Sequence, residues 1–345
     1  MKAVVKYGME DGMVELRDMP EPEVGLGEII MDVQAAGVCG SDIEFYRNAM
    51  TYPINVPVIQ GHEFCGVVAE VGPGVDKFKV DDRVVSETAA YICGECRYCL
   101  EGEYNICPQR KGFGYGVNGA FTRYVRVPIR CLHRIPDEVP FEHAALTEPL
   151  CVAYNALVVK SRVPLGETVA ILGPGPIGLF CLQVAKASGA GRVIVAGTEK
   201  DSKRFEIARK LGAEVTLNVD EEDCVAEVNE LTDGEGVALV VDAAGESSAL
   251  KTAIDIVRRN GGITKVGWGA DPLGFSLDPI ISKAVTLQGS YSHTWNTWET
   301  CIELIRSKGI DIERMITHEF SVEDWKTAFH MMEEKETLKA LLKPV

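Results

Sequence analysis

Four cysteines fall within fifteen residues, at Cys93, Cys96, Cys99 and Cys107, in a C-x2-C-x2-C-x7-C spacing. Thiols at this density serve as disulfides, as a redox pair or as metal ligands. Four thiolates on one loop can converge on a tetrahedral ion and close its shell, which is the arrangement of a structural zinc. Thiolate softness also admits an iron–sulfur cluster, and a loop without metal is the third reading. Gly94, Gly102 and Asn105 suit the tight turns such a loop needs, and the segment from about 90 to 110 has few apolar residues with which to build a core.

Two further segments carry candidate ligands. AAGVCGSD holds Cys39, and IQGHEFCG holds His62 and Glu63. A thiolate, an imidazole and a carboxylate from separate segments form an incomplete zinc shell whose open position takes water or a substrate oxygen. Taken alone, the same residue types are more often ordinary core and surface positions. A third segment, LTEPLCVAYN, brings Glu148.

The sequence Gly173-Pro174-Gly175-Pro176-Ile177-Gly178 lies between an expected strand and an expected helix. That context turns a G-x-G-x-x-G loop into a dinucleotide-binding signal: a tight turn, a close approach to pyrophosphate, and close packing of helix on strand. The ribose-binding acid usually found about 20 residues on is replaced by Gly197, followed by Thr198, Glu199, Lys200 and, further on, Lys203 and Arg204. A missing acid beside basic residues leaves room for a 2′-phosphate, so NADP is favoured slightly over NAD, while Glu199 pulls the other way.

These residues need elements to hold them. Through about residue 150 the chain reads as short strands (KAVVKY, EIIMDVQAAG, CGVVAEVG, DRVVS) punctuated by Pro and Gly, which predicts an antiparallel barrel or sandwich. Strands and helices then alternate: TVAILG, PIGLFCLQVAKASGA, RVIVAG, DSKRFEIARKLGA, ALVVDAAG, a helix over SALKTAIDIVRRNGG, and GITKVG. That rhythm predicts a doubly wound parallel sheet. The tail returns to a mixed pattern ending in a strand at KALLKPV.

Composition bounds the function. The chain has 345 residues, enough for two domains, with 46% hydrophobic residues and a formal net charge of −16. Such a charge argues against nucleic acid or an anionic membrane as partner. MKAVVKYGMEDG lacks the apolar run of a signal peptide, no stretch has the length of a membrane span, and a cytoplasmic protein is expected. A reducing compartment and an odd cysteine count, 11, disfavour a disulfide framework.

In combination, GVCGSD, GHEFCG, the four-cysteine lobe, TEPL and GPGPIG resemble the zinc-dependent medium-chain dehydrogenase/reductase family over essentially the whole chain. GHE with EPL is most similar to the sorbitol (polyol) branch and its threonine dehydrogenase relatives. The resemblance implies a GroES-like catalytic domain from 1–152 and 290–345 and a Rossmann NAD(P)-binding domain from 153–289. It implies two zinc ions per chain: one catalytic at Cys39, His62, Glu63 and Glu148, with either carboxylate as direct third ligand, and one structural at Cys93, Cys96, Cys99 and Cys107.

The same resemblance makes Ser41 the hydroxyl that relays the proton of a secondary alcohol, in a polyol, sugar or related compound oxidised to the ketone. It also implies a homodimer or homotetramer. Glu44 stands where the polyol branch commonly has histidine, and is either the outer proton acceptor or a surface carboxylate. Phe45, Ser292 and His293 fall where that branch contacts substrate, with changed identities. An amino-alcohol dehydrogenase of the threonine type is the alternative, and a non-catalytic NAD(P)H-binding sensor or structural protein is the reading from another class.

Overall fold

The computed structural model describes residues 1–344. The chain forms two compact units. One comprises Met1–Glu148, His293–Lys308 and the chain from Ile312 on; the other comprises Pro149–Ser292 with Gly309–Asp311. The chain crosses between them at Glu148/Pro149 and Ser292/His293, and again on either side of Gly309–Asp311.

In the first unit the ten-residue strand Glu28–Gly37 organises a seven-stranded sheet. Its alternating apolar residues Ile29, Met31 and Val33 face a core that includes Phe64, Phe121, Trp325 and Phe329. Its last residue, Gly37, pairs with Glu63 at the start of the strand Glu63–Val71 and with Leu341 of Ala340–Lys343. Three strand ends therefore meet at one place, although two are close in sequence and the third is the C-terminal strand. Pairing in this sheet is antiparallel except between His318–Ser321 and Ala340–Lys343, which run parallel.

The second unit is a six-stranded parallel sheet. Its order is Val215–Asn218, Arg192–Gly197, Thr168–Leu172, Val237–Asp242, Val257–Lys265, Thr286–Gly289, or 3-2-1-4-5-6 in chain order. That is the doubly wound nucleotide-binding order. One expected helix is too long. It runs only over Ser247–Ile256, and Val257 opens a strand that pairs with Val237. β-Branched Val257 fits the pleat, and Asn260 with φ 57° beside Gly261 makes the irregularity in the register. Helical periodicity continued past the true boundary because two charged residues, Arg258 and Arg259, follow Val257.

Candidate active site

Val38 and Cys39 leave the end of the central strand, and Cys39 caps the helix Gly40–Tyr46. The cap is reciprocal: the Cys39 N–H donates to Asp42 Oδ2 at 2.9 Å, and the Cys39 side chain faces the Asp42 backbone. Because Gly37 pairs with Glu63, the strand end also carries His62 and Glu63 to Cys39. One donor atom from each of Cys39, His62 and Glu63 lies within 4.8 Å of the others.

Asp42, which sequence reasoning passed over, serves two of them. It is fully buried, and its Oδ1 lies 3.6 Å from His62 Nδ1. Burial would push the His62 imidazole down in pKa, and the Asp42 carboxylate together with Cys39 more than reverses this, raising it. A carboxylate at Nδ1 leaves Nε2 as the nitrogen a metal would take. The signal was present in the sequence as the three-residue capping-box spacing from Cys39.

Glu63 is held by a second residue that no motif flagged. The Lys339 Nζ donates to Glu63 Oε1 at 2.6 Å, lies 2.5 Å from Oε2, and donates to the Val38 carbonyl at 2.9 Å. Both side chains are buried, 1% and 0% exposed. Burial raises the Glu63 carboxyl against the lowering by Lys339, and Lys339 is itself raised by Glu63 against its own burial. Gly37 makes the pair possible: a Cβ there would lie 2.1 Å from Glu63 Oε2 and 3.2 Å from Lys339 Cε.

Glu148, in the first turn of Thr147–Tyr154, stands outside that donor cluster but close enough to raise the Glu63 pKa by its charge. Its Oε1 is 3.0 Å from His293 Nε2 and 3.4 Å from the Thr88 hydroxyl. Burial would raise the Glu148 carboxyl; the His293 hydrogen bond and the nearby His62 and Lys339 charges together reverse this and hold the group below the carboxylate range.

Ser41 and Glu44 are half-buried, three residues apart on one helix face. Burial raises the Glu44 carboxyl. Phe45, expected at the substrate, is 1% exposed and packs between Tyr52 and Tyr115 at 5.6 Å centroid distances. His293, also expected there, is 2% exposed with its ring engaged by Glu148 and Trp298. Ser292 belongs to the second unit and has a positive φ of 53°.

The four-cysteine lobe folds as anticipated from its glycines: Gly94 and Gly102 have φ of 74° and 81°. The four sulfur atoms lie within 4.8 Å of one another, and Cys93 Sγ is 3.9 Å from Cys99 Sγ and 3.6 Å from Cys107 Sγ. All eleven cysteines are free thiols. Backbone N–H groups of Glu95 and Cys96 lower the Cys93 thiol to about 7, while burial and the neighbouring sulfurs push Cys99 up to about 12. Four thiolates this close need a cation to ionise together, and the donor set fits zinc. None of Arg97–Leu100 is buried, so no apolar core stands in for a metal there.

In the second unit, Gly173 takes φ 99°, and a Cβ on Gly178 would lie 1.9 Å from the Gly173 carbonyl. At Gly175, the cap of the helix Pro176–Ala187, a Cβ would meet nothing within 4 Å. The open side of Gly175 at a helix N-terminus fits a pyrophosphate approaching the backbone. Gly197 ends its strand, and a Cβ there would lie 2.7 Å from Pro174. Thr198 donates to Asp201 Oδ2 at 2.9 Å, and Arg204 is 7% exposed and paired with Asp201 Oδ1 at 3.3 Å. Glu199, Lys200 and Lys203 are exposed. Arg204, expected to reach a cofactor, is therefore turned inward to Asp201.

A soft, incomplete donor set on a GroES-like sheet, joined in one chain to a dinucleotide-binding sheet, defines a metal-dependent dehydrogenase. The chain belongs to the zinc-dependent medium-chain dehydrogenase family, in its polyol branch. Residues 25–137 match the alcohol dehydrogenase GroES-like domain, and residues 176–307 match the zinc-binding dehydrogenase domain. The sorbitol dehydrogenase of Halalkalibacterium halodurans is 39% identical over 100% of both chains. The D-arabitol-phosphate dehydrogenase of Enterococcus avium is 39% identical over 99% of this chain and 97% of its own. Among solved structures, galactitol-1-phosphate dehydrogenase from Escherichia coli superposes with a TM-score of 0.90 at 28% identity, covering 100% of each chain. Among the described residues, no helix is long and apolar enough to cross a membrane.

Proposed function

We propose that the protein oxidises a secondary alcohol of a polyol, a polyol phosphate or a related sugar-like compound to the ketone, reversibly, with NADP or NAD as hydride acceptor. The observation that carries this reading is the convergence of Cys39, His62 and Glu63 beside Glu148, with Ser41 on the first turn of the adjoining helix. A zinc ion held by that donor set would supply Lewis acidity to the substrate hydroxyl.

The remaining roles belong to the chain. Asp42 orients His62 and fixes the Cys39 backbone. Lys339 neutralises Glu63. Ser41 takes the substrate proton outward, and Glu44, its pKa raised by burial, is the acceptor one turn on. Gly173, Gly175, Pro176, Ile177 and Gly178 form the pyrophosphate cradle, and Cys93, Cys96, Cys99 and Cys107 hold a second, structural zinc.

The acid-free end at Gly197 supports NADP. Since Arg204 is occupied by Asp201, we assign the 2′-phosphate contact to Lys200. Eleven free thiols support a reducing, cytoplasmic setting.

The test is reduced-nicotinamide absorbance across polyols, polyol phosphates, simple secondary alcohols and threonine, each with NAD and NADP. Turnover confined to polyol-type substrates supports the reading. Turnover of threonine alone replaces it with the amino-alcohol reading. NAD as sole acceptor overturns the assignment at Lys200.

A further inference from the structure

We propose that His293 is a positioning residue for Glu148, locked by Trp298 in the one tautomer that can donate to that carboxylate. The inference rests on the reading that Glu148 serves the metal centre. It begins with an indole. The Trp298 Nε1–H has no acceptor capacity and lies 2.7 Å from His293 Nδ1. His293 Nδ1 must therefore accept, and the ring proton sits on Nε2. That nitrogen is 3.0 Å from Glu148 Oε1 and 3.2 Å from the Thr88 hydroxyl.

The opposite tautomer sets two N–H groups against each other at Trp298 and turns a lone pair toward a carboxylate. An imidazolium fails at the first of these contacts. The His293–Glu148 contact is consequently a hydrogen bond donated by Nε2–H to the carboxylate, which fixes where Oε1 points. Thr88, 3.4 Å from Glu148 Oε1, donates its hydroxyl to the same oxygen.

The lock is itself fixed. Trp298 is 0% exposed in the helix Trp295–Arg306 and stacks on His133, with centroids 5.5 Å apart and planes 9° from parallel. His133 is gripped at one nitrogen by Glu87, 3.2 Å away, and by Glu299 at the other. Glu87 also accepts the Tyr104 hydroxyl from the four-cysteine lobe at 2.9 Å and 2.8 Å. With both ring nitrogens committed, His293 orients a carboxylate rather than a substrate.

The experiment uses the full chain labelled with 15N-histidine, which has six histidines to assign. Two-bond nitrogen–proton correlation at neutral pH should show His293 purely as the Nε2–H tautomer, in zinc-loaded and zinc-free protein alike. Trp298→Phe should give a mixture of tautomers. His293→Leu should release catalytic-site zinc to a chelator about tenfold more readily, the low end for loss of a ligand-supporting partner. His293→Gln, which keeps a donor toward Glu148, should restore most of that retention, a rescue that a bulk-packing role would not give. An Nδ1–H or doubly protonated His293 in the wild type overturns the proposal, as does unchanged zinc retention in His293→Leu. If Trp298→Phe fails to fold, the wild-type spectrum and the two His293 variants decide. Silence across every alcohol with the tautomer and zinc results intact sinks the polyol reading alone.

Discussion

Lys339→Met is the sharpest perturbation this site offers. The substitution keeps an unbranched chain of similar length and removes only the ammonium. It leaves the Glu63 carboxylate buried with the Val38 carbonyl unpaired, where Lys339 now makes contacts of 2.6 Å, 2.5 Å and 2.9 Å. Removing one partner of a buried ion pair costs about 3–5 kcal/mol. For a unit of this size that is a drop of roughly 6–20 °C in Tm. Calorimetry on zinc-free protein reads it directly. Adding Glu63→Gln to Lys339→Met removes the stranded charge, so the double variant should return to within ~2 kcal/mol of wild type. Zinc should recover part of the loss in the single variant, because a cation at Cys39 and His62 faces the same carboxylate. A loss below ~1 kcal/mol in the single variant would refute the reasoning, since an exposed pair is worth no more than that. A double variant no better than the single would refute it equally.

Asp42→Asn keeps the shape beside His62 and removes the charge; zinc affinity at the catalytic site should fall about 10–100-fold, measured by chelator competition. Cys96→Ser opens the sulfur shell of the lobe, so elemental analysis should find one zinc ion fewer per chain than in wild type, with a lower Tm. Gly197→Asp, the change that would ordinarily install an NAD-selecting acid, should not produce a clean cofactor switch, because its Cβ would lie 2.7 Å from Pro174. Comparing kcat/KM for the two nicotinamides checks this, and a well-folded, NAD-selective variant would contradict it.

What could be read from the sequence was what the chain writes locally. The glycine loop and the four-cysteine lobe are spacings within one turn or one loop, and their geometry follows from residues a few positions apart. The cluster at Cys39, His62 and Glu63 needed more: two segments meet only because Gly37 and Glu63 are register partners. Lys339 lies 276 positions from Glu63, and a lysine just before an apolar strand gives no hint of its partner. His293 was visible as a residue near the site, but its role depends on an indole five positions later turning back toward it. Arg204 is a like case, since a basic residue near a strand end says nothing of an Asp201 that pairs with it. The strand at Val257 was lost to a periodicity that charged residues prolonged.

The hydrogen bond between Glu148 and His293 has a consequence for how such a chain can be assembled and rebuilt. Glu148 is the last residue before the chain leaves the first unit, and His293 is the first on its return. Apart from Gly309–Asp311, the nucleotide-binding segment is a long excursion whose two ends are tied together, 3.0 Å apart, by side chains of the host. To the host sheet it is a closed loop, and loops that start and end at neighbouring points tolerate changes of length and content at small entropic cost. A nucleotide-binding segment could therefore be exchanged as a cassette between relatives, with the graft points at these two residues and the metal ligands left untouched.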